Sequence, residues 1–344
     1  MRARELGLAC GSLPPGARNS IADVPGVTVG HATLIEGDVC TGVTAVLPHD
    51  GDLFVDKPVA AAVVLNGFGK SVGLVQVNEL GTLETPILLT NTFAVGACAT
   101  ALIRRAIAAD PEIGRQTSTV NPVVLECNDG YLNDIQAMAV TDAHAEAAIE
   151  TAGEQFDVGA VGAGAGMSCF GLKGGIGSAS RKLRLDGVTY HLGVLVLANF
   201  GRAGDLRLPD GRRVNPASAA ATPEAGSCII VIGTDIPLDH RQLGRVARRA
   251  GVGLAWCGSF WGNGSGDIAL AFTTANRVPH AVDQDLLDHR VLAEGRIDRR
   301  FQAAAEATQE AVLDALAGAE TTEGRHGHRR VGLAELLKQH PPEG

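Results

Sequence analysis

The stretch Thr222-Pro-Glu-Ala-Gly-Ser-Cys-Ile-Ile-Val-Ile-Gly233 changes character at a single bond. Small and polar residues run up to Gly226, and from Cys228 the chain is apolar and rich in β-branched side chains. Such a run reads as a buried strand. A serine at its start, behind a glycine that tolerates strained backbone, is how a chain that cuts itself would look. The Ser227 hydroxyl would attack the carbonyl of Gly226, and water would hydrolyse the resulting ester. The freed α-amine has an ordinary pKa of about 7.7–8.0 and would lie beside its own hydroxyl as a base. That chemistry needs no histidine. The competing reading of Gly-Ser before a strand is an ordinary turn.

Composition narrows the classes. The 344 residues are 45% hydrophobic, enough for one large layered core or two smaller ones. With 29 Lys and Arg against 38 Asp and Glu, the net charge of −9 argues against a nucleic-acid surface. Forty-four glycines without a fixed period imply many tight turns rather than a fibre. The seven cysteines include no CxxC pair, so neither a zinc ribbon nor a disulfide framework is expected, and a reducing cytoplasm fits. No run reaches the ~18 apolar residues of a membrane span. The apolar run before Cys10 is too short for a signal peptide.

Several motifs fail on one residue. Asn66-Gly-Phe-Gly-Lys-Ser71 ends like a phosphate loop, but position 64 is Val. Gly162-Ala-Gly-Ala-Gly166 lacks the glycine at 167 that a dinucleotide loop needs. Gly264-Ser265-Gly266 lacks the glycine at 263 of a nucleophile elbow. His326-Gly-His328 lies in a basic, polar stretch and reads as solvated tail. No metal or other cofactor is expected.

Strands are predicted over 26–34, 41–47, 59–65, 86–90, 123–126, 182–185, 189–198, 228–232, 254–257 and 268–273. Helices are predicted over 95–109, 142–152, 238–250, 283–293, 297–316 and 332–338. Residues 201–226 read as a polar surface loop. Strand-rich blocks alternating with long helices argue for a layered α/β or α+β domain, and no linker divides residues 1–344.

Four blocks carry unusual polar density: Asn128-Asp-Gly-Tyr-Leu-Asn-Asp134, Leu197-Ala-Asn-Phe-Gly201, Gly226-Ser227 and Asn263-Gly-Ser-Gly-Asp267. Each also reads as a turn or a cap. Together with Asn19–His31, Thr90-Asn-Thr92 and Ser265–Asn276, however, they resemble the L-aminopeptidase/D-esterase family. That family includes the β-peptidyl aminopeptidases, and the resemblance runs from about residue 15 to 315.

The resemblance implies an α+β fold, a four-layer αββα sandwich similar to N-terminal-nucleophile hydrolases but connected differently. It implies one domain, 1–344, self-cleaved into 1–226 and 227–344, and a tetramer of cleaved units. The nucleophile falls on Ser227, a second active-site serine on Ser265 and an acid on Asp267. Oxyanion donors fall on Tyr131 and Asn199, while the loop of the first block offers Asn133 to the substrate. The β-peptide-cleaving relatives carry Glu at the position of Asp267, one methylene longer. The expected activity is an aminopeptidase or amidase that releases N-terminal residues from short peptides, amides or esters through an acyl-enzyme. A non-peptide, pantetheine-like amide and an uncleaved, inactive scaffold stand as the alternatives.

Overall fold

The computed structural model describes residues 1–216 and 225–339. Residues 222–224 of the opening stretch, and the rest of 217–224 in the expected surface loop, lie outside them. Among the described residues the long strands are β1 (Thr28–Glu36), β2 (Val39–Leu47), β3 (Asp56–Gly67), β4 (Ile87–Asn91) and β5 (Val123–Cys127). They continue with β6 (Gly175–Leu185), β7 (Val188–Asn199), β8 (Ala225–Thr234) and β9 (Gly264–Pro279). The helices are α1 (Leu74–Leu80), α2 (Val95–Ala109), α3 (Asp142–Glu150), α4 (His240–Ala247), α5 (Ala250–Trp256), α6 (Asp298–Gly318) and α7 (Leu333–Gln339).

The long strands form two large sheets, in the orders β1-β2-β4-β5 and β3-β9-β8-β7-β6. Side chains alternate between the faces of a strand, so a strand buried on both faces must be apolar throughout. In β8, Ile229 and Val231 pack between the sheets with Leu195, Leu197, Leu270 and Leu125. Cys228, Ile230 and Ile232 face the other way, into a core shared with α4, α5 and α6. On the far side α2 and α3 cover the outer face of the first sheet through Val95, Cys98, Leu102 and Ile149. The layers therefore run helix, sheet, sheet, helix, the expected αββα sandwich.

Two predicted elements are wrong in type. Residues 254–257, predicted as a strand, fall mainly in α5, which buries Ala250, Gly251, Gly253 and Leu254 at helical spacing. A side chain at Gly253 would stand 2.5 Å from the carbonyl oxygen of Ala305, so the glycine lets α5 press against α6. The predicted helix 238–250 accordingly breaks into α4 and α5. Residues 283–293, predicted as a helix, form an exposed irregular strap. Its backbone is held from outside: Asn276 Oδ1 accepts from Arg290 N and Asn276 Nδ2 donates to Arg290 O. Asp283, Asp285 and Asp288 leave it no continuous apolar face to bury, and tertiary anchoring wins.

A buried ion cluster ties the start of the chain to α6. Arg181, with no exposed surface, meets Glu306 at 3.2 Å and Glu310 at 2.9 Å, and Arg4 meets Glu310 at 2.5 Å. Burial raises the Glu310 pKa, but the hydrogen bond from Arg4 and the charge of Arg181 outweigh it and hold the carboxyl below its usual range.

Candidate active site

Strand register assembles the site. β8 enters its sheet between β7 and β9. Ser227 pairs with Asn199 of antiparallel β7 and with Gly266 of parallel β9. The neighbouring pairs along β9 are Gly226 with Ser265 and Cys228 with Asp267. Directly paired residues lie about 4.5–5.5 Å apart, so register alone makes neighbours of residues distant in sequence.

Gly226 has φ +129°, a region where L side chains are strained. A Cβ there would stand 2.0 Å from the carbonyl oxygen of Asn199. Glycine is thus required both by the backbone conformation and by the approach of β7. Ser227 is buried, and its Oγ donates to the Gly226 carbonyl oxygen at 2.5 Å. The hydroxyl therefore sits over the carbonyl of the bond that precedes it.

Ser265 and Asp267 are buried at the start of β9. The turn that delivers them is clamped by Asn66, whose Nδ2 donates to the carbonyls of Gly262 and Ser265, both at 2.8 Å. Among the described residues Ser265 Oγ makes no hydrogen bond.

A cleft of about 730 Å³ opens over Ser227, and Gly226, Asn199, Tyr131, Glu126 and Arg330 are among its lining residues. The Asn199 amide is fixed at both ends: Oδ1 accepts from Ser168 N and Nδ2 donates to Asn128 O, each at 2.9 Å. An amide NH₂ carries two hydrogens, so one is left for a ligand. Tyr131 lies at the mouth, 39% exposed, between two partners. The Arg330 guanidinium is 3.6 Å from its ring centre, and His328 stacks on it at 4.6 Å. His328 Nδ1 also lies 2.7 Å from the Tyr131 carbonyl oxygen. The stretch read as solvated tail is therefore a clamp on Tyr131.

Asn133 is brought to the same loop but not into the cleft. It is buried, its Nδ2 donates to Asp129 Oδ1 at 2.9 Å and its Oδ1 accepts from Cys40 N at 3.0 Å. The structure places it beneath the cleft-lining loop, where its amide bonds hold that loop from below. Asp129 belongs to the same support and accepts from Thr41 Oγ1 at 2.6 Å. Burial pushes the Asp129 carboxyl up to about 6. Lys173, fully buried, donates to the carbonyls of Gly164, Met167 and Gly174, and burial brings it down to about 7.

Sequence reasoning missed Glu126. It is buried and carries the only carboxylate among the described residues that line the cleft. It accepts from Lys70 N at 2.8 Å and from Thr92 Oγ1. The readable signal was a lone acid in the otherwise apolar strand Val123–Cys127. Lys70 and Phe68, from the failed phosphate-loop stretch, form another wall. His31 lies elsewhere, its ring within hydrogen-bonding distance of Thr44 Oγ1 (2.9 Å) and the Asp157 carbonyl oxygen (3.1 Å). Burial lowers its pKa to about 4.

Ser227 is thus a buried serine on a central strand, over the carbonyl of the preceding glycine. Residues 19–330 match the description "Peptidase family S58". The chain belongs to peptidase family S58. Relatives in this family include a β-peptidyl aminopeptidase, BapA, of Sphingosinicella microcystinivorans. It is 38% identical over 97% of this chain and 90% of its own length. The solved structure of the PH0078 protein from Pyrococcus horikoshii OT3 is 48% identical, covers 98% of both chains and superposes with a TM-score of 0.93. The L-aminopeptidase D-Ala-esterase/amidase of Ochrobactrum anthropi, described as a prototype for the serine aminopeptidases and a variant of the Ntn hydrolase fold, is 34% identical. It covers 98% of both chains with a TM-score of 0.88. The S58 chain is a hydrolase of the serine aminopeptidase type.

Proposed function

We propose that this chain cleaves itself between Gly226 and Ser227 and then removes N-terminal residues from short peptides, amides or esters. The observation that carries this reading is Ser227 Oγ on the Gly226 carbonyl oxygen at 2.5 Å. In the first reaction Oγ attacks the Gly226 carbonyl carbon, the C–N bond breaks as the nitrogen takes a proton, and water hydrolyses the ester. The single domain 1–344 becomes two chains, 1–226 and 227–344.

In the mature site Ser227 Oγ attacks the substrate carbonyl. Its own α-amine accepts the proton, relayed by Ser265, and Asp267 favours the ammonium form. The free hydrogen of Asn199 Nδ2 and the hydroxyl of Tyr131 stabilise the tetrahedral oxyanion, the kind of contact that acts most strongly in the transition state. An aminopeptidase must also recognise a free ammonium. The buried Glu126 supplies a fixed negative charge for it in the same cleft, and a charge-assisted bond there would set the cut one residue from the N-terminus. The shorter acid at Asp267 favours α- over β-amino residues. A cytoplasmic homo-oligomer of cleaved units completes the proposal.

The test is a panel of p-nitroanilides of L-Ala, D-Ala and β-Ala, with an N-acetylated L-Ala control. Release from L-Ala and none from the acetylated compound is the expected result. Equal turnover of both would reject the aminopeptidase specificity.

A further inference from the structure

A second cavity lies at the other end of the same sheet. It has a volume of about 1070 Å³, and Val188 and Tyr190 at the start of β7 are in its wall, while Asn199 of the active site ends that strand. At ~3.3 Å per residue the two sites are roughly 35 Å apart.

The charge of this cavity is opposite to that of the chain. The chain carries −9, yet the cavity gathers Lys182, Arg184, Arg290, Arg296, Arg299 and Arg300 against only Asp186 and Asp298. Elsewhere the arginines pair readily, as Arg2, Arg4, Arg104, Arg105 and Arg181 do with carboxylates. Among the described residues none of the six cations in the cavity forms an ion pair, with Asp186 and Asp298 or with any other carboxylate.

Arg300 is the decisive residue. It is 3% exposed, one turn into α6. Nη1 donates to the Arg296 carbonyl oxygen at 2.6 Å, while the buried Nε and Nη2 have no acceptor. A guanidinium is charged at every ordinary pH, and leaving it buried without an anion is costly. Burial, then the charges of Arg299 and Arg296, lower its pKa, as expected for a cation short of a counter-charge. The positive end of the α6 dipole adds to the same field.

We infer that this cavity is a binding site for a small phosphate-bearing molecule, whose phosphate oxygens take the two free donors of Arg300 while Arg296 and Arg299 meet its remaining charge. The planar guanidinium fork matches two phosphate oxygens at once. The excess of cations favours a multiply charged ligand over a lone carboxylate. The volume suits a molecule of metabolite size.

Pyrophosphate is the probe, added to the full chain at low salt and followed by calorimetry and thermal unfolding. The expected result is one site per chain and, at a hundredfold excess over Kd, a Tm rise of about 3–5 °C. Arg300→Met should weaken binding at least tenfold. Its own Tm without ligand should equal or exceed that of the parent, because an unpaired buried cation has been removed. Should Arg300→Met fail to fold, the double variant Arg296→Gln/Arg299→Gln carries the test with the same loss of affinity. No binding by the parent chain, or equal binding by either variant, would overturn the assignment. So would an Arg300→Met protein that loses its oligomeric state in sedimentation, since Arg300 would then be meeting a partner's carboxylate.

Discussion

In the proposed mechanism the one hydroxyl of Ser227 serves two reactions, and the residues around it divide by when they would act. Tyr131 and Asn199 line the cleft over Ser227, and the proposal gives them donors for a charge that exists only at the tetrahedral stage. Tyr131→Phe and Asn199→Ala are each expected to lower kcat by about 10²–10³ with little change in KM. A rise in KM alone, in steady-state kinetics on the L-Ala anilide, would make either residue a ground-state contact. The base gives a second expectation. The α-amine of Ser227 must be neutral to accept a proton, so kcat/KM should rise with pH through about 7.7–8.0 and then level off. If Asp267 favours the ammonium form as proposed, Asp267→Asn should move the limb to lower pH. His31 cannot supply the limb, because burial holds it near 4 and so neutral throughout that range. A limb that disappears in a folded His31→Ala protein would transfer the role of base to histidine.

At the scale of the elements, Asn133 separates support from catalysis. Its amide bonds Asp129 and Cys40 under the loop that carries Tyr131. Asn133→Ala leaves a buried carboxylate and a buried N–H short of a partner, which costs about 1–3 kcal/mol. The expected result is a lower denaturant midpoint with KM unchanged; a changed KM at full stability would return Asn133 to the substrate. The sequence made β8 legible because both of its faces are apolar, and it made the blocks around Asn199, Ser227 and Ser265 legible because polar residues stand out at the ends of buried strands. It did not disclose Glu126, whose role depends on which strand end faces the cleft. Nor did it disclose the clamp of His328 and Arg330 on Tyr131, a contact across nearly two hundred residues of chain. The misread strand at 254–257 and helix at 283–293 have the same origin. In one a glycine-mediated contact with α6 decides, in the other the side chain of Asn276, and neither is a local property.

For the whole molecule, cleavage at Ser227 would not free two pieces. β8 and β9 belong to the second fragment, yet they lie between β3 and β7 of the first. Arg2, Arg4 and Arg181 of the first fragment bind Asp314, Glu306 and Glu310 of the second. The fragments should therefore co-elute in native gel filtration and part only on unfolding. Glu306 and Glu310 carry folded pKa values below the ordinary carboxylate value. Their contribution to stability is present above about pH 4.5 and is lost as pH falls through the lower folded values, so acid should release the fragments. Co-elution that persists unchanged at pH 2.5 would show that this cluster contributes little. All of this rests on one hydroxyl performing both the cut and the hydrolysis, and the intact mass of freshly purified protein tests it most directly. The parent chain should give two species, 1–226 and 227–344, while Ser227→Ala should give one full-length species without aminopeptidase activity. A full-length parent chain with full activity, or normal cleavage of Ser227→Ala, would contradict the account.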